Sequence, residues 1–248
     1  MKTLNFTVFV FIVTMLSCNS NAVNTYNFGK GIEAVWDKES GHMIFSNESG
    51  PISMVKEFRK SIDTIEIEKN GSIALDRTGK YSFQMLENDQ LIGTKVTLTR
   101  QIHDGINAIC THTSANAPYN KKGKLNDGIA GTEDYTSGEW VGWKNKDAII
   151  EFDFEGDQSI NYISYRYRDD IENNIFPPKN MGLEVSVDGQ NWEHLITRNV
   201  VAPGYPISGD NFTIRGTYKK IRLTVGNYTT GDNIESWLLI DEVTVAAR

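Results

Sequence analysis

Apolar and polar residues alternate along most of the chain after its first twenty or so residues, and helical periodicity is hard to find. In "GKYSFQMLE", for example, Tyr81, Phe83 and Met85 share one face. A period of two is typical of half-buried strands. The best helical candidate is short, "PISMVKEFRKSI" at 51 to 62. The pattern therefore predicts an all-β protein.

Turn signals divide the alternating stretches. "LENDQLIG", with Asn88-Asp89 at its tip, and "VDGQNW", with Asp188-Gly189, predict two hairpins. Strands in the second half are predicted at 148–154, 160–168, 181–187, 192–197, 212–215, 219–225 and 236–245. Short strands at this spacing, without intervening helices, favour a β-sandwich or jelly roll.

The segment "SANAPYNKKGKLNDG" (114 to 128) interrupts the alternation with Pro, Gly, Asn and a lysine cluster. We place a domain border near 112 to 122. The 248 residues, 39% of them hydrophobic, suit two modest domains. The predicted units are a small β-sandwich over 24–112 and a jelly-roll β-sandwich over 118–248.

The N-terminus has the pattern of a secretory signal, with Lys2 before an apolar run that is too short to span a bilayer. Met15-Leu16-Ser17-Cys18 resembles a bacterial lipobox, although Leu is usual where Met15 stands. In this interpretation residues 1–18 are a signal peptide and Cys18 is acylated. The chain would then be lipid-anchored in the bacterial cell envelope, at the outer membrane or cell surface. Ordinary cleavage near Ala22 is the alternative.

Charge and cysteine content exclude two further classes. A net charge of -7 argues against nucleic-acid binding, because phosphate backbones would be repelled. If Cys18 is lipidated, Cys110 has no intrachain partner, so a disulfide framework is excluded. Cys110 is then best interpreted as buried filler.

Catalytic arrangements are not evident in the sequence. Asp241 and Glu242 are adjacent on a predicted strand and would point to opposite faces, so they cannot act as a hydrolytic pair. Asp169-Asp170 follows a strand and is better interpreted as a solvated turn. Neither a Gly-x-Ser-x-Gly elbow nor zinc-ligand spacing of histidines is present. We therefore expect no enzymatic activity.

Motifs in the second half occur in the order and spacing of a known family. "LNDGIAG", "GEWVGW", "AIIEFDFEG", "VSVDGQNWE", "KKIRLTV" and "WLLIDEVTV" together resemble a discoidin domain, also called coagulation factor 5/8 type C. The nearest resemblance is to the C-terminal accessory modules of bacterial family 20 glycoside hydrolases, the β-N-acetylhexosaminidases. The matching residues are Leu125, Asp127, Gly128, Trp140, Gly142, Trp143, Pro177, Pro178, Ser186, Asp188, Gly189, Leu239, Asp241, Glu242 and Val245.

The first half more loosely resembles the small, fibronectin-like β-sandwich that precedes such tails. About 90 residues before the tail cannot hold a catalytic β/α barrel, which needs at least about 200. The resemblance therefore implies the accessory modules without the enzyme, in a galactose-binding-like jelly roll.

Such modules bind sugars through loops at one end of the sandwich. The resemblance implies galactose- or N-acetylhexosamine-type glycans and, as a partner, a glycoside hydrolase. A pyranose needs a flat ring against its C–H face and planar polar groups for its hydroxyls. The candidate contacts are Tyr135, Trp143, Arg166, Arg168, Asp169, Tyr205 and Tyr228. Trp143 could serve either face of its strand, and the two arginines could instead lie on a solvated face.

The resemblance also implies a structural Ca²⁺, held by hard oxygen ligands from several segments. Asp127, Thr132 and Glu242 match by position, with a carbonyl near Leu125. In the alternative, Asp127 caps its turn and Glu242 pairs with a nearby cation. The predicted function is a non-catalytic, carbohydrate-binding surface lipoprotein. The rival functions are a structural or adhesion module that docks on a protein, and a truncated hexosaminidase relative.

Overall fold

The computed structural model describes residues 24–47, 50–228 and 235–247. The predicted signal peptide and Cys18 lie outside these residues. Within them the chain forms sixteen β-strands and two short 3₁₀ turns, Asp104–Asn107 and Ile171–Asn173, and contains no α-helix. None of the described segments is a helix that could cross a bilayer. The all-β prediction is confirmed.

The first unit consists of two facing sheets with the orders β1-β2-β3-β6 and β10-β8-β7-β4-β5. Phe28 and Phe45 from one sheet meet Met54, Tyr81 and Phe83 from the other in a shared core. This is the expected small β-sandwich. Its strands are β1 (Thr25–Gly29), β2 (Ile32–Asp37), β3 (His42–Ser46), β4 (Ile52–Phe58), β5 (Ser61–Ile67), β6 (Ser72–Ala74), β7 (Gly79–Glu87), β8 (Gln90–Arg100) and the two-residue β10 (Ile129–Ala130).

The helix proposed for 51 to 62 is wrong, because β4 and β5 form an antiparallel hairpin there. Met54 and Phe58 both face the core, and their spacing of four imitates one face of a helix. Arg59 makes the turn with φ of 55°, a left-handed conformation that Gly or Asn more often signals. The hairpins at Asn88-Asp89 and Asp188-Gly189 are both present as predicted.

The second unit is a jelly-roll sandwich built around two long antiparallel strands. β12 and β15 pair along most of their lengths, with a register shift between Asp153 and Gln158. Before the shift β12 pairs with β9, and after it with β16, so each long strand serves two layers. The strands are β9 (Ile109–His112), β11 (Val141–Lys144), β12 (Ala148–Arg168), β13 (Asn180–Ser186), β14 (Glu193–Asn199), β15 (Ile207–Val225) and β16 (Trp237–Ala246). The strands predicted at 148–154 and 160–168, and at 212–215 and 219–225, are thus two continuous strands.

Alternation along β12 determines which side chains are available for binding. Tyr165 and Tyr167 are buried in the core between the layers. Because neighbouring side chains on a strand point to opposite faces, Arg166 and Arg168 lie on the other face. That face is covered by the segment 131–140, because Arg166 bonds Gly131 and Arg168 lies against the ring of Tyr135.

The chain passes back and forth between the two units at β9 and β10, so the predicted border near 112 to 122 needs correction. The sequence assigned β9 to the first domain, but this strand pairs with β12 of the second unit. β10 follows β9 in the chain but pairs with β8 of the first unit, Ile129 opposite Arg100 and Ala130 opposite Thr99. The chain therefore changes sheet between β8 and β9 and returns briefly at β10.

Candidate ligand-binding site

Four connecting segments converge at one end of the second sandwich, and we refer to them together as the loop end: 131–140, 169–176, 200–206 and 226–228. The Asp169 amide donates to the carbonyl of Pro206 at 3.0 Å, and the Trp237 amide donates to the carbonyl of Asn174 at 2.8 Å. Beneath the loops Trp140, Ile175 and Leu239 form a small apolar cluster. The loop end therefore stands on a packed floor.

Tyr135 and Arg168 form the most distinctive pair of the loop end. The guanidinium carbon of Arg168 lies 5.5 Å from the centre of the partly exposed Tyr135 ring, a cation–π arrangement. Arg168 is only 9% exposed, and its Nη2 donates to Asp170 Oδ2 at 3.1 Å. Its Nε and Nη1 have no hydrogen-bond partner among the described residues. Because both of these nitrogen atoms are themselves buried, the guanidinium supports the Tyr135 ring and does not present an open pair of donors.

Two further predicted residues adjoin this pair. Asp169 is half-buried, and burial, together with the neighbouring charge of Asp170, raises the pKa of its carboxyl above the ordinary value. Tyr205 is 66% exposed and precedes Pro206, whose carbonyl holds Asp169. The structure thus pairs Tyr135 with Arg168, and it places Asp169 and Tyr205 at the same end of the sandwich through the backbone bond between Asp169 and Pro206.

Tyr228 lies on a neighbouring part of the loop end. Its ring stacks on Phe176, with centres 5.6 Å apart and planes inclined by 16°, and it remains 48% exposed. Phe176 is joined to Trp237 through a backbone hydrogen bond of 2.9 Å. Tyr228 is therefore accessible, but its nearest aromatic contact is Phe176 rather than Tyr135.

Trp143 is not a ligand contact, and that prediction is wrong. Its side chain is 0% exposed within the main core of the second unit, and its indole nitrogen donates to the carbonyl of Thr113 at 2.9 Å. The ring also meets His112 edge-on at 5.6 Å. On the opposite face of β11, Gly142 packs against Tyr119 and Leu239, so both faces of this strand are covered.

Arg166 is also engaged within the protein. Its Nη1 lies 2.9 Å from Asp241 Oδ2, and its Nη2 donates to the carbonyl of Gly131 at 3.1 Å. Asp241 in turn accepts the Gly131 amide at 2.6 Å. Arg166 therefore fixes the start of the Tyr135 segment to the closing strand and does not offer its guanidinium to a ligand. It is a positioning residue rather than a contact.

The three residues predicted to bind calcium do not form a calcium site in this arrangement. Asp127 Oδ2 faces the ammonium of Lys124, whereas Glu242 accepts from His103 and from the Gly128 amide. Thr132 bonds within its own loop, through the carbonyl of Asp134. The Leu125 carbonyl already accepts the Val243 amide at 2.8 Å. Among the described residues no group of three or more His, Cys, Asp or Glu could hold a metal ion.

Burial and neighbouring charge shift the protonation of these carboxyls. Burial raises the pKa of Asp127 and of Asp241 to about 6, and raises the pKa of Glu242 well above its ordinary value. His103, which is also buried and lies near Arg100, has a pKa lowered to about 4. Burial likewise raises the pKa of the Cys110 thiol to about 12, although Cys110, predicted as buried filler, is only partly buried against the core of the second unit.

Sequence reasoning missed two residues, Asp170 within the loop end and Tyr119, whose ring packs against it. Asp170 holds the guanidinium of Arg168, although the "DD" pair was interpreted as a solvated turn. Tyr119 lies 6.4 Å from Tyr135 and 5.3 Å from Trp237, centre to centre, although its segment was interpreted as the border between the domains. An aromatic residue inside a Pro- and Asn-rich segment was the signal that could have identified it.

The fold and this loop end define a two-layered, jelly-roll module with an aromatic and arginine-bearing surface at one end. A model of the F5/8 type C domain matches residues 109–242, more than half of the chain. The chain therefore belongs to the F5/8 type C, or discoidin, family. The match begins at the first residue of β9, in agreement with the corrected border.

Solved structures with a similar fold come from several bacteria. A Clostridium perfringens module in complex with GalNAc-β-1,3-galactose is 20% identical, covers 57% of this chain and 96% of its own, and has a TM-score of 0.40. A fucose-binding module of Streptococcus pneumoniae is 14% identical, with 60% and 96% covered and a TM-score of 0.42. A chitosan-binding module from Paenibacillus is 17% identical, with 59% and 100% covered and a TM-score of 0.41.

No curated protein shows significant similarity to the chain. Because each of the three TM-scores lies below 0.5, membership of the family rests on the match to the sequence model. The more specific link to accessory modules of family 20 glycoside hydrolases stays a prediction.

Proposed function

We propose that this chain is a non-catalytic carbohydrate-binding lipoprotein of the bacterial cell envelope. It binds galactose- or N-acetylhexosamine-type glycans through the loop end of the jelly roll. Cys18 anchors it to lipid, and glycoside hydrolases are its partners in the same envelope. The match to the F5/8 type C domain, which places the chain in the discoidin family, supports this function.

The observation that carries the proposal is the Tyr135–Arg168 pair. A pyranose presents a C–H face that suits the Tyr135 ring, and the buried Arg168 guanidinium supports that ring through the cation–π contact. Asp169 supplies carboxylate oxygens that accept from sugar hydroxyls. Asp170 already neutralises Arg168, so the pair favours an uncharged sugar over an acidic one.

Binding at such a surface is weak for one sugar. The loop end is open, and Tyr205 and Tyr228 stand well out into solvent. A shallow contact buries little of its ligand, so affinity comes from repeated attachment. Many anchored copies on one membrane supply that multivalency, and a polymeric glycan is the matching ligand.

The test is glycan-array binding of the chain from residue 19, with galactose, GalNAc, fucose and chitosan ligands included. Tyr135→Ala removes the ring, and Arg168→Lys keeps the charge but removes the planar fork. We expect each variant to bind at least about tenfold more weakly, a loss of roughly 1.4 kcal/mol or more. The matched control is Trp192→Ala, which removes a ring at the opposite end of β13 that contacts Arg222 at 4.0 Å.

Three outcomes contradict the proposal. Equal binding by the parent and both loop-end variants places the ligand elsewhere. Failure of every glycan to exceed background favours the structural or adhesion module that docks on a protein. Hydrolysis of an aryl N-acetylglucosaminide by the purified chain establishes the enzyme alternative.

A further inference from the structure

A buried ionic cluster joins the two units, and we call it the junction cluster. Its members come from the first unit, from the turn before β10 and from the closing strand β16. Asp127 is at its centre: its carbonyl accepts the indole N–H of Trp36 at 3.0 Å and Nη1 of Arg100 at 3.2 Å. Two side chains of the first unit therefore hold this turn through the backbone carbonyl of Asp127.

Lys124 lies inside this cluster although lysine is almost never fully buried. Its side chain is 2% exposed. The ammonium donates to Asn24 Oδ1 and lies 3.3 Å from Asp127 Oδ2. The Asn24 amide also donates to Asp127 Oδ2 at 3.4 Å, which closes a triangle of three side chains. A cation thus sits between a carboxylate oxygen and an amide oxygen that come from different units of the fold.

The carboxylate of Asp127 already has a cationic partner. The ammonium of Lys124 lies 3.3 Å from its Oδ2, with both side chains buried, and the Arg100 guanidinium bonds the carbonyl of the same residue. A divalent ion added beside this ammonium would bring like charges together in a buried region, which is strongly unfavourable.

Calcium would also need the oxygens that the ammonium occupies. It takes six to eight oxygen ligands at about 2.3–2.6 Å. Asp127 Oδ1 accepts the Ile129 amide at 2.8 Å, and the ammonium of Lys124 lies 3.3 Å from Oδ2, so a metal ion at Oδ2 would have to displace that ammonium. We propose that the Lys124 ammonium takes the place of a structural metal ion in this chain, and that it holds the Asp127 turn to Asn24 without calcium.

Lys124 then has a definite structural role at the start of β10. β10 begins two residues after Asp127, and the Tyr135 segment begins directly after β10. The ammonium therefore fixes the start of the strand that both crosses between the units and leads into the loop end. The proposal itself concerns stability and metal dependence, so it does not depend on whether a glycan binds.

Thermal unfolding of the purified chain, followed by circular dichroism in excess EDTA or in millimolar CaCl₂, tests the metal dependence. We expect the two melting temperatures to agree within about 1 °C, since a ligand stabilises only what it binds. A rise of more than about 3 °C in calcium, or saturable terbium luminescence, would overturn the proposal. Neither readout needs a variant.

Lys124→Met tests the ammonium directly. Removing one partner leaves a buried carboxylate uncompensated, so we expect a fall of about 6 °C or more in melting temperature. The matched control is Lys220→Met, which breaks the surface pair with Asp153 at 2.9 Å and costs about 2 °C or less. Equal effects of the two lysine substitutions would overturn the proposal.

The double variant Lys124→Met/Asp127→Asn covers the case in which the single variant does not fold. Removing both charges relieves the uncompensated carboxylate, so the double variant should melt higher than Lys124→Met or recover a folded spectrum. A double variant that is less stable than the single one would count against the ion pair.

Discussion

Replacement of Trp143 separates a core residue from a ligand contact, since the two roles predict opposite results. Trp143→Phe keeps an aromatic ring at a fully buried position. It removes three side-chain atoms, among them the nitrogen that donates to Thr113 at 2.9 Å. Fold stability should fall while the loop end keeps its form, because the Trp143 side chain lies in the main core and the bond from Asn227 Nδ2, at 3.1 Å, goes to its backbone carbonyl.

The size of the effect follows from these contacts. Two lost carbon atoms cost roughly 1.6 kcal/mol at about 0.8 kcal/mol per buried carbon group. The lost hydrogen bond costs about 1 kcal/mol, because the Thr113 carbonyl keeps its contact with His112 at 2.8 Å. The free energy of unfolding should therefore fall by roughly 2–3 kcal/mol, or about 4–12 °C in melting temperature. Trp143→Ala should cost roughly 3–5 kcal/mol or more.

The assay is urea unfolding followed by far-ultraviolet circular dichroism, with glycan binding measured on the same samples below the transition. Tyr205→Ala is the control, because an exposed ring should change stability by about 0.5 kcal/mol or less. If Trp143→Phe unfolds within about 0.5 kcal/mol of the parent and loses glycan binding, Trp143 is a ligand contact and the assignment to the core fails.

Two further predictions concern the junction and the anchor. Gly128→Ala should lower the melting temperature far more than Gly204→Ala: both glycines have positive φ, but a Cβ at Gly128 would lie 2.6 Å from the Gln101 carbonyl, whereas Gly204 has open space. Similar losses from the two alanines would show that backbone strain alone, without the close approach, sets the cost. Cys18→Ser should move the chain from the membrane fraction to the soluble fraction on cell lysis, because in the proposed lipoprotein several acyl chains provide the anchor. A Cys18→Ser chain that stays with the membrane would refute lipidation at this site.

Local chemistry explains which parts of the fold the sequence could predict. Asn88-Asp89 and Asp188-Gly189 specify their hairpins through residues that favour tight turns. The β4–β5 hairpin turns instead at Arg59, whose type gives no such signal, so the apolar spacing of Met54 and Phe58 was open to a helical interpretation. The exchange of β9 and β10 depends on pairings between distant segments, which local alternation does not encode.

The same limits apply to the candidate site. Tyr135 could be predicted as a candidate ligand contact because a ring in a polar, Gly-flanked segment does not belong to the buried face of a strand. Alternation also placed Arg166 and Arg168 together, but the two side chains have different tasks because one meets Asp241 and the other Tyr135. For Trp143, alternation indicates which face of β11 the side chain occupies. It does not distinguish a core residue from a ligand contact, because both faces of this strand are covered.

The shared strand also bears on how the protein is made. A ribosome completes β8 at Arg100, but its partner β10 ends at Ala130, thirty residues later. At about 5–20 residues per second that interval lasts roughly 2–6 s, during which the Thr99–Arg100 end of β8 lacks its partner. The first sandwich therefore reaches its final form only after synthesis of the second has begun. The two units therefore have separate cores, but folding of the first finishes while the second is being synthesised.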